Sequence, residues 1–297
     1  MKKGYSIIAF TDHEHLIDNS HLDDENFLSI TSCEVAIKEF PEQSTLVNMD
    51  MKVGHFNFYA LDQHNNVTPC YSKVYDHYVN DLNRDKIKFD GEWERKYSIE
   101  RINEMIKIAN EKGFIVSYNH PCWSLENATR YLGYENLFAV EIVNGGCVKA
   151  GYGDNESAFD DILRSGKKIF ATAADDNHNP HPIDSKLCDS FGGWVMINAE
   201  KLEYSEIMSA LRRGDFYAST GPEITSLTRD GDTVRVECSD AKKIVLVTGG
   251  RRIAKKIADF GEYLNSAEFT VKETDHYFRI RVEDEYGKKA YTQGYEV

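Results

Sequence analysis

Short apolar runs that end in metal-binding residue types are the feature that most constrains the fold of this chain. Each of five such runs is followed within a few residues by one of these side chains. The runs are 5–10, 27–30, 114–118, 138–143 and 168–174, followed in turn by His13, Glu34, His120, Asn144 and Asp176. Runs this short and rich in β-branched residues predict buried parallel strands. Polar residues that follow successive strands predict one functional face at the carboxyl ends of a sheet.

Helical patterns separate these runs. Apolar residues from Ile99 to Ala109 recur with a 3.6-residue period, and Gly113 follows where a C-terminal glycine is expected. Two further helices are predicted at 157–164 and 205–213, each followed by a glycine. Strands that alternate with helices predict an α/β fold with a parallel sheet or barrel.

Two parts of the chain break this alternation. Residues 70–97 have little periodicity and are interpreted as an insertion, either a substrate lid or a surface excursion without a role. After residue 222 the period changes to two, with turn residues between the runs. The sequence therefore predicts a main domain at 1–222 and a small antiparallel β-sandwich domain at 223–297.

Charge and composition limit the partners and the compartment. The formal net charge of −14 over 297 residues disfavours nucleic acid and membrane surfaces, but permits a small phosphorylated substrate beside a bound metal. The six cysteines form no Cys-x-x-Cys pair, and no apolar stretch reaches the ~20 residues that span a bilayer. We therefore expect a cytoplasmic chain with reduced thiols.

Several kinds of enzyme lack their signatures in this sequence. It contains no Gly-rich phosphate loop, no Gly-x-Ser-x-Gly elbow and no dinucleotide fingerprint. Kinase, serine hydrolase and dehydrogenase functions are therefore not supported.

Imidazole and carboxylate side chains at the predicted strand ends suggest a centre for zinc, manganese or iron. Each residue alone has a simpler interpretation: a single histidine is more often structural, and consecutive aspartates often form a turn. The recurrence of such residues after successive strands favours metal binding. The predicted ligands are His13, Glu34, His55, His120, Asp176 and His178.

Three motifs resemble those of the polymerase-and-histidinol-phosphatase (PHP) family of phosphoesterases. They are Thr11-Asp12-His13, Asn119-His120-Pro121 and the segment 175–178, and 219–222 is similar to the barrel end of a CehA-like subgroup. The resemblance implies a distorted (β/α)7 barrel with up to three metal ions. It also implies that Glu34, His55 and His120 hold one ion, that Glu34 and Asp176 share another, and that His13 and His178 serve a third.

The chain departs from this family at its start. PHP proteins open with a His-x-His strand and a helix, whereas Thr11 here follows Met1 by only ten residues. Either the start was placed at an internal methionine or the chain is naturally shortened. We expect the first, because a barrel without its first strand would expose sheet edges.

The resulting functional hypothesis is hydrolysis of a small phosphate ester by metal-activated hydroxide. The predicted catalytic residues are Asp12, His15, Asn119 and Asn144, with the two asparagines orienting the substrate. Glu141 either lines the same pocket or is a packed, paired carboxylate. Two alternatives stay open: hydrolysis of another ester at the same centre, and a non-catalytic module that binds a metal or ligand.

Overall fold

The computed structural model describes residues 4–39, 52–79 and 81–297. Its helices are α1 (Ile99–Glu111), α2 (Ala128–Tyr131), α3 (Gly145–Lys149), α4 (Glu156–Arg164) and α5 (Tyr204–Arg213). Its strands are β1 (Ile7–Phe10), β2 (Leu28–Lys38), β3 (Val53–Ala60), β4 (Val67–Thr68), β5 (Lys88–Phe89), β6 (Phe114–Tyr118), β7 (Ala139–Asn144), β8 (Phe170–Ala174), β9 (Trp194–Ile197), β10 (Phe216–Ser219), β11 (Ile224–Asp230), β12 (Thr233–Ala241), β13 (Lys243–Thr248), β14 (Ile253–Ile257), β15 (Leu264–Thr270), β16 (Tyr277–Glu283), β17 (Lys289–Tyr291) and β18 (Tyr295–Glu296).

These elements form two compact units. Unit 1 comprises the described residues up to Val140 together with Ala199–Arg213, and unit 2 comprises Glu141–Asn198 and Gly214–Val297. The helices predicted near residues 99, 157 and 205 are confirmed as α1, α4 and α5. None of the helices in the described ranges has the length and apolar character needed to cross a bilayer.

Unit 1 is built on a mixed sheet around β2, whose eleven residues are all buried. Strand β2 pairs in parallel with β1 and antiparallel with β3, which is in turn antiparallel to β6. The first two residues of β7 pair in parallel with β6. Helix α1 begins after Ser98, whose side chain accepts a hydrogen bond from the Arg101 amide, and it buries its apolar face.

The mixed α/β class is confirmed. Strand β3, which lies outside the runs predicted to form parallel strands, is antiparallel to both of its neighbours. Period and composition predict a strand's direction only when one of its faces is exposed to solvent. Strands β2 and β3 are buried along almost their whole length, so an antiparallel pair and a parallel pair produce the same apolar run.

Unit 2 contains the antiparallel strands predicted in the C-terminal part. Strands β14, β13, β16, β17, β10 and β9 are neighbours in that order in one sheet, with β18 beside β16, and β11, β12 and β15 form another. Val236, Leu246, Phe269 and Ile280 share one core cluster that draws on both sheets. A sandwich of two antiparallel sheets therefore encloses this core. The domain boundary at 222/223 stays a prediction.

A buried ion-pair network joins β16 to α4 within unit 2. Arg279, fully buried, donates to both carboxylate oxygens of Asp160 at 2.8 Å and to Glu156 at 2.7 Å. Arg281 binds the same Glu156 at 2.6 and 2.8 Å, and the Tyr277 hydroxyl lies 3.2 Å from Asp160. Removing one partner would leave buried charge uncompensated.

Arg279→Met should therefore lower the free energy of unfolding by about 3 kcal/mol or more. Arg235→Met is the matched control, because Arg235 pairs with Glu268 at 2.8 Å with more than half of each side chain exposed, and such pairs contribute about 1 kcal/mol or less. Urea unfolding followed by circular dichroism measures both. Equal losses for the two variants would contradict the importance of the buried network.

Candidate metal centre

Three strands of unit 1 bring Glu34, His55 and His120 together. Glu34 on β2 lies opposite Asn57 of β3, and His55 lies opposite Ala36, so Glu34 and His55 are diagonal neighbours on one face. His120 follows β6, and the Asn119 amide before it donates to the His55 carbonyl at 2.9 Å. Sheet register therefore assembles residues that are far apart in sequence.

We call Glu34, His55 and His120 the metal triad. All three residues are buried, and one donor atom from each lies within 4.8 Å of the others. His55 Nδ1 is 3.4 Å and His120 Nε2 is 3.6 Å from the same Glu34 oxygen, Oε1. These separations are long for hydrogen bonds.

The donor set fits a divalent transition-metal ion. Two atoms that each lie ~2.1 Å from one tetrahedral ion are separated by about 3.4 Å. The separations of 3.4 and 3.6 Å between the imidazole nitrogens and Glu34 Oε1 match this value. Two imidazoles and one carboxylate are a common ligand set for zinc. The metal triad could therefore hold a metal ion.

His13 is a fourth side chain at this cluster. It forms an isolated parallel bridge with Glu34, and its Nδ1 lies 3.2 Å from Glu34 Oε2. Its side chain is 23% exposed, whereas His120 is almost fully enclosed. The cluster is therefore more open towards His13 than towards His120.

The surrounding histidines decide the charge of Glu34. Burial alone raises the pKa of this carboxyl, but His55, His120 and His13 together lower the pKa well below its usual value. The carboxylate is thus ionised within a buried site, as a metal ligand must be.

Polar neighbours orient two members of the metal triad. Asn119 Nδ2 donates to Glu34 Oε1 at 2.7 Å, and Ser117 Oγ donates to Asn119 Oδ1 at 3.0 Å. Ser124 Oγ lies 3.3 Å from His120 Nδ1, the nitrogen on the far side of the ring from Glu34. Such outer partners fix ligand orientation in metal sites. Asn119, predicted to orient the substrate, thus contacts Glu34, and its catalytic role stays a prediction.

Asp12 and His15, also predicted to be catalytic, lie on either side of His13. Asp12 has an exposed side chain, and its carbonyl accepts a hydrogen bond from the Glu34 amide. His15 is buried, and its Nδ1 lies 2.8 Å from the His13 carbonyl. Both residues therefore contact the backbone around the metal triad, and their chemical roles stay predictions.

The remaining predicted site residues belong to unit 2. Asn144 Nδ2 donates to Glu141 at 3.0 Å and to Asp176 at 3.2 Å, while Asn144 Oδ1 accepts from the Cys147 amide at the start of α3. Asp176 has a φ of 51°, and His178 Nδ1 lies 3.8 Å from its carboxylate. Asn144 thus links the buried Glu141 to the partly exposed Asp176, and the metal-ligand roles predicted for Asp176 and His178 stay predictions.

The 70–97 segment, whose sequence has little periodicity, contacts His13 and β2. Tyr78, in a short 3₁₀ helix at Lys73–Tyr78, stacks on the His13 ring with centroids 4.9 Å apart. Arg95, fully buried, pairs with the buried Glu14 at 2.6 Å and donates to the Ala36 carbonyl at 2.7 Å. This segment is therefore anchored to β2, and its role as a substrate lid stays a prediction.

Comparison with family models, curated proteins and solved structures returned no match for this chain. The PHP resemblance therefore stays a prediction, and the candidate site depends on its own geometry.

Replacing one ligand of the metal triad should weaken metal binding. We expect His55→Ala and His120→Ala each to lower zinc affinity by more than about 100-fold, because even outer-shell changes cost 10–100-fold. Competition against a chromophoric chelator measures the affinity, and elemental analysis of the purified chain measures the metal content. His21→Ala, at an exposed histidine of unit 1, is the control. Unchanged affinity in His120→Ala would reject this centre.

Proposed function

We propose that this chain is a metal-dependent hydrolase, most specifically a phosphoesterase acting on a small phosphorylated substrate. The observation that supports the proposal is the buried metal triad, with the donor atoms of two histidines and one carboxylate within 4.8 Å of one another. The PHP family, its CehA-like subgroup and its (β/α)7 barrel are part of the same proposal. So are a cytoplasmic location and a total of up to three zinc, manganese or iron ions.

When bound, a divalent ion supplies Lewis acidity, which activates water as a nucleophile and stabilises charge on a phosphoryl oxygen. The chain's own residues hold and orient this centre. Glu34, His55 and His120 supply the ligands, and Asn119 fixes the Glu34 carboxylate through its 2.7 Å hydrogen bond. His13 extends the cluster at its more exposed side.

A buried lysine supports an anionic substrate. Lys38, at the end of β2, is only 7% exposed; burial lowers the pKa of its ammonium group, and the nearby charge of Glu14 opposes that shift. Its Nζ lies 4.5 Å from the centroid of the Tyr78 ring, and Tyr78 in turn stacks on His13. We assign Lys38 and Tyr78 to the wall that would receive the phosphate group, because ammonium groups bind phosphate strongly.

The proposal predicts hydrolysis of p-nitrophenyl phosphate or bis-p-nitrophenyl phosphate by the chain loaded in turn with zinc, manganese or iron. His120→Ala should abolish turnover, while His21→Ala should retain it. Hydrolysis of p-nitrophenyl acetate alone would favour the alternative of another ester. Tight metal binding without hydrolysis of any of these probes would favour a non-catalytic metal-binding module.

If Lys38 receives the phosphate, Lys38→Met should raise KM for an active phosphoester about tenfold and change kcat much less. Loss of one charge-assisted hydrogen bond corresponds to about 1.5–3 kcal/mol. Lys107→Met, at an exposed position of α1, is the matched control. Equal KM values for the two variants would remove Lys38 from the proposed wall.

A further inference from the structure

Glu126 is a buried carboxylate that accepts hydrogen bonds from three tyrosine hydroxyls. The Tyr97 hydroxyl lies 2.5 Å from Oε1, the Tyr118 hydroxyl lies 2.6 Å from Oε2, and the Tyr134 hydroxyl lies 2.9 Å from both oxygens. We call these four residues the Glu126 cluster. A carboxylate has about four acceptor sites and no donor, so it suits three converging O–H groups.

The three tyrosines come from separate parts of unit 1. Tyr118 is the last residue of β6, Tyr134 follows α2, and Tyr97 precedes α1. Burial, followed by the charge of Glu126, raises the pKa of each phenol above its usual value, so the hydroxyls keep the protons that they donate. The Arg130 guanidinium lies 4.2 Å from the Tyr97 ring centroid and places positive charge beside the cluster. Glu126 is therefore held from several directions.

Glu126 lies at the end of the segment that begins with His120. Both Trp123 and Ser124 donate backbone hydrogen bonds to the His120 carbonyl, at 3.0 and 3.1 Å. His120 has a φ of 29° and Leu125 a φ of 57°, values that side-chain-bearing residues rarely adopt. Such strained residues persist only where the surrounding structure compensates for the strain.

The Glu126 cluster supplies this compensation next to a metal ligand. It fixes the end of the 120–126 segment, and within that segment Ser124 Oγ lies 3.3 Å from His120 Nδ1. The opposite ring nitrogen, Nε2, faces Glu34 at 3.6 Å. A shift at Glu126 would move Ser124 and rotate the His120 ring away from this arrangement.

We propose that the Glu126 cluster is a positioning site for His120, and that it tunes the metal affinity of the triad without contacting the ion. This inference depends on the metal-binding part of the proposed function and is independent of the substrate. Glu126 and the three tyrosines are positioning residues, because they act through His120.

The test uses the full chain with Tyr118→Phe and Tyr134→Phe, each of which removes one hydroxyl from the cluster. Tyr204→Phe is the matched control: it also removes one tyrosine hydroxyl of unit 1, which donates to the Ala60 carbonyl at 2.8 Å, away from the 120–126 segment. All three should unfold at a modestly lower urea concentration than the wild type, because each loses the hydrogen bonding of one tyrosine hydroxyl. Only the two cluster variants should also lose about tenfold in zinc affinity.

A second readout requires no metal. Histidine side-chain nitrogen resonances of the metal-free chain report the protonation and hydrogen bonding of His120 Nδ1. They should shift in Tyr118→Phe and in Glu126→Gln but not in Tyr204→Phe. Glu126→Gln keeps the side-chain shape but removes two acceptor sites, and the milder tyrosine variants decide the question if it fails to fold.

The outcomes separate the two proposals. Equal zinc affinities and unchanged His120 resonances in the cluster variants and in Tyr204→Phe would overturn the positioning role. A wild-type chain that binds none of zinc, manganese and iron would overturn the metal centre, and the His120 resonances alone would then decide whether the Glu126 cluster positions the ring.

Discussion

Burial of the Glu34 carboxylate is the constraint on which unit 1 depends. A buried carboxylate without partners would cost several kcal/mol, so its neighbours must compensate the lost hydration. His13, His55 and His120 do this electrostatically and lower the pKa of Glu34 despite its burial. Asn119 adds a direct hydrogen bond. Because these groups belong to different segments, each segment must place its side chain next to the Glu34 carboxylate.

The direction of β3 makes this agreement possible. Antiparallel pairing on both sides lets β3 present His55 diagonally across from Glu34 on β2 and beside the end of β6. The hydrogen bond from the Asn119 amide to the His55 carbonyl then places His120 next to both. A one-residue change of register would turn His55 to the opposite face of the sheet and separate the ligands.

The sequence predicts those features of the fold and site that depend on residues close together in the chain, and misses those that depend on contacts between distant segments. The ligand types of the triad, the three longer helices and the alternating C-terminal strands follow from residue type and period. The direction of β3 does not, because its buried apolar residues leave no exposed face in the pattern. Glu126 and Arg95 were missed for another reason: nothing near them in sequence distinguishes them from surface charges, and their partners come from distant segments. The substrate-orienting role of Asn119 stays a prediction, and its contact with Glu34 is visible only in three dimensions.

The uneven enclosure of the centre bears on whether it is structural or catalytic. A structural site has its ion enclosed by protein ligands, whereas a catalytic site keeps one position for water or substrate. Here His55 and His120 are enclosed, while His13 retains an exposed fraction of 23%. Tyr78 covers one face of His13, and the Lys38 ammonium group lies over the Tyr78 ring. Lys38 is therefore on the same side of the cluster as His13. Because the Arg95–Glu14 pair anchors the Tyr78 segment to β2, this wall is built into the fold, and under the proposed function it would face the anionic group of the substrate.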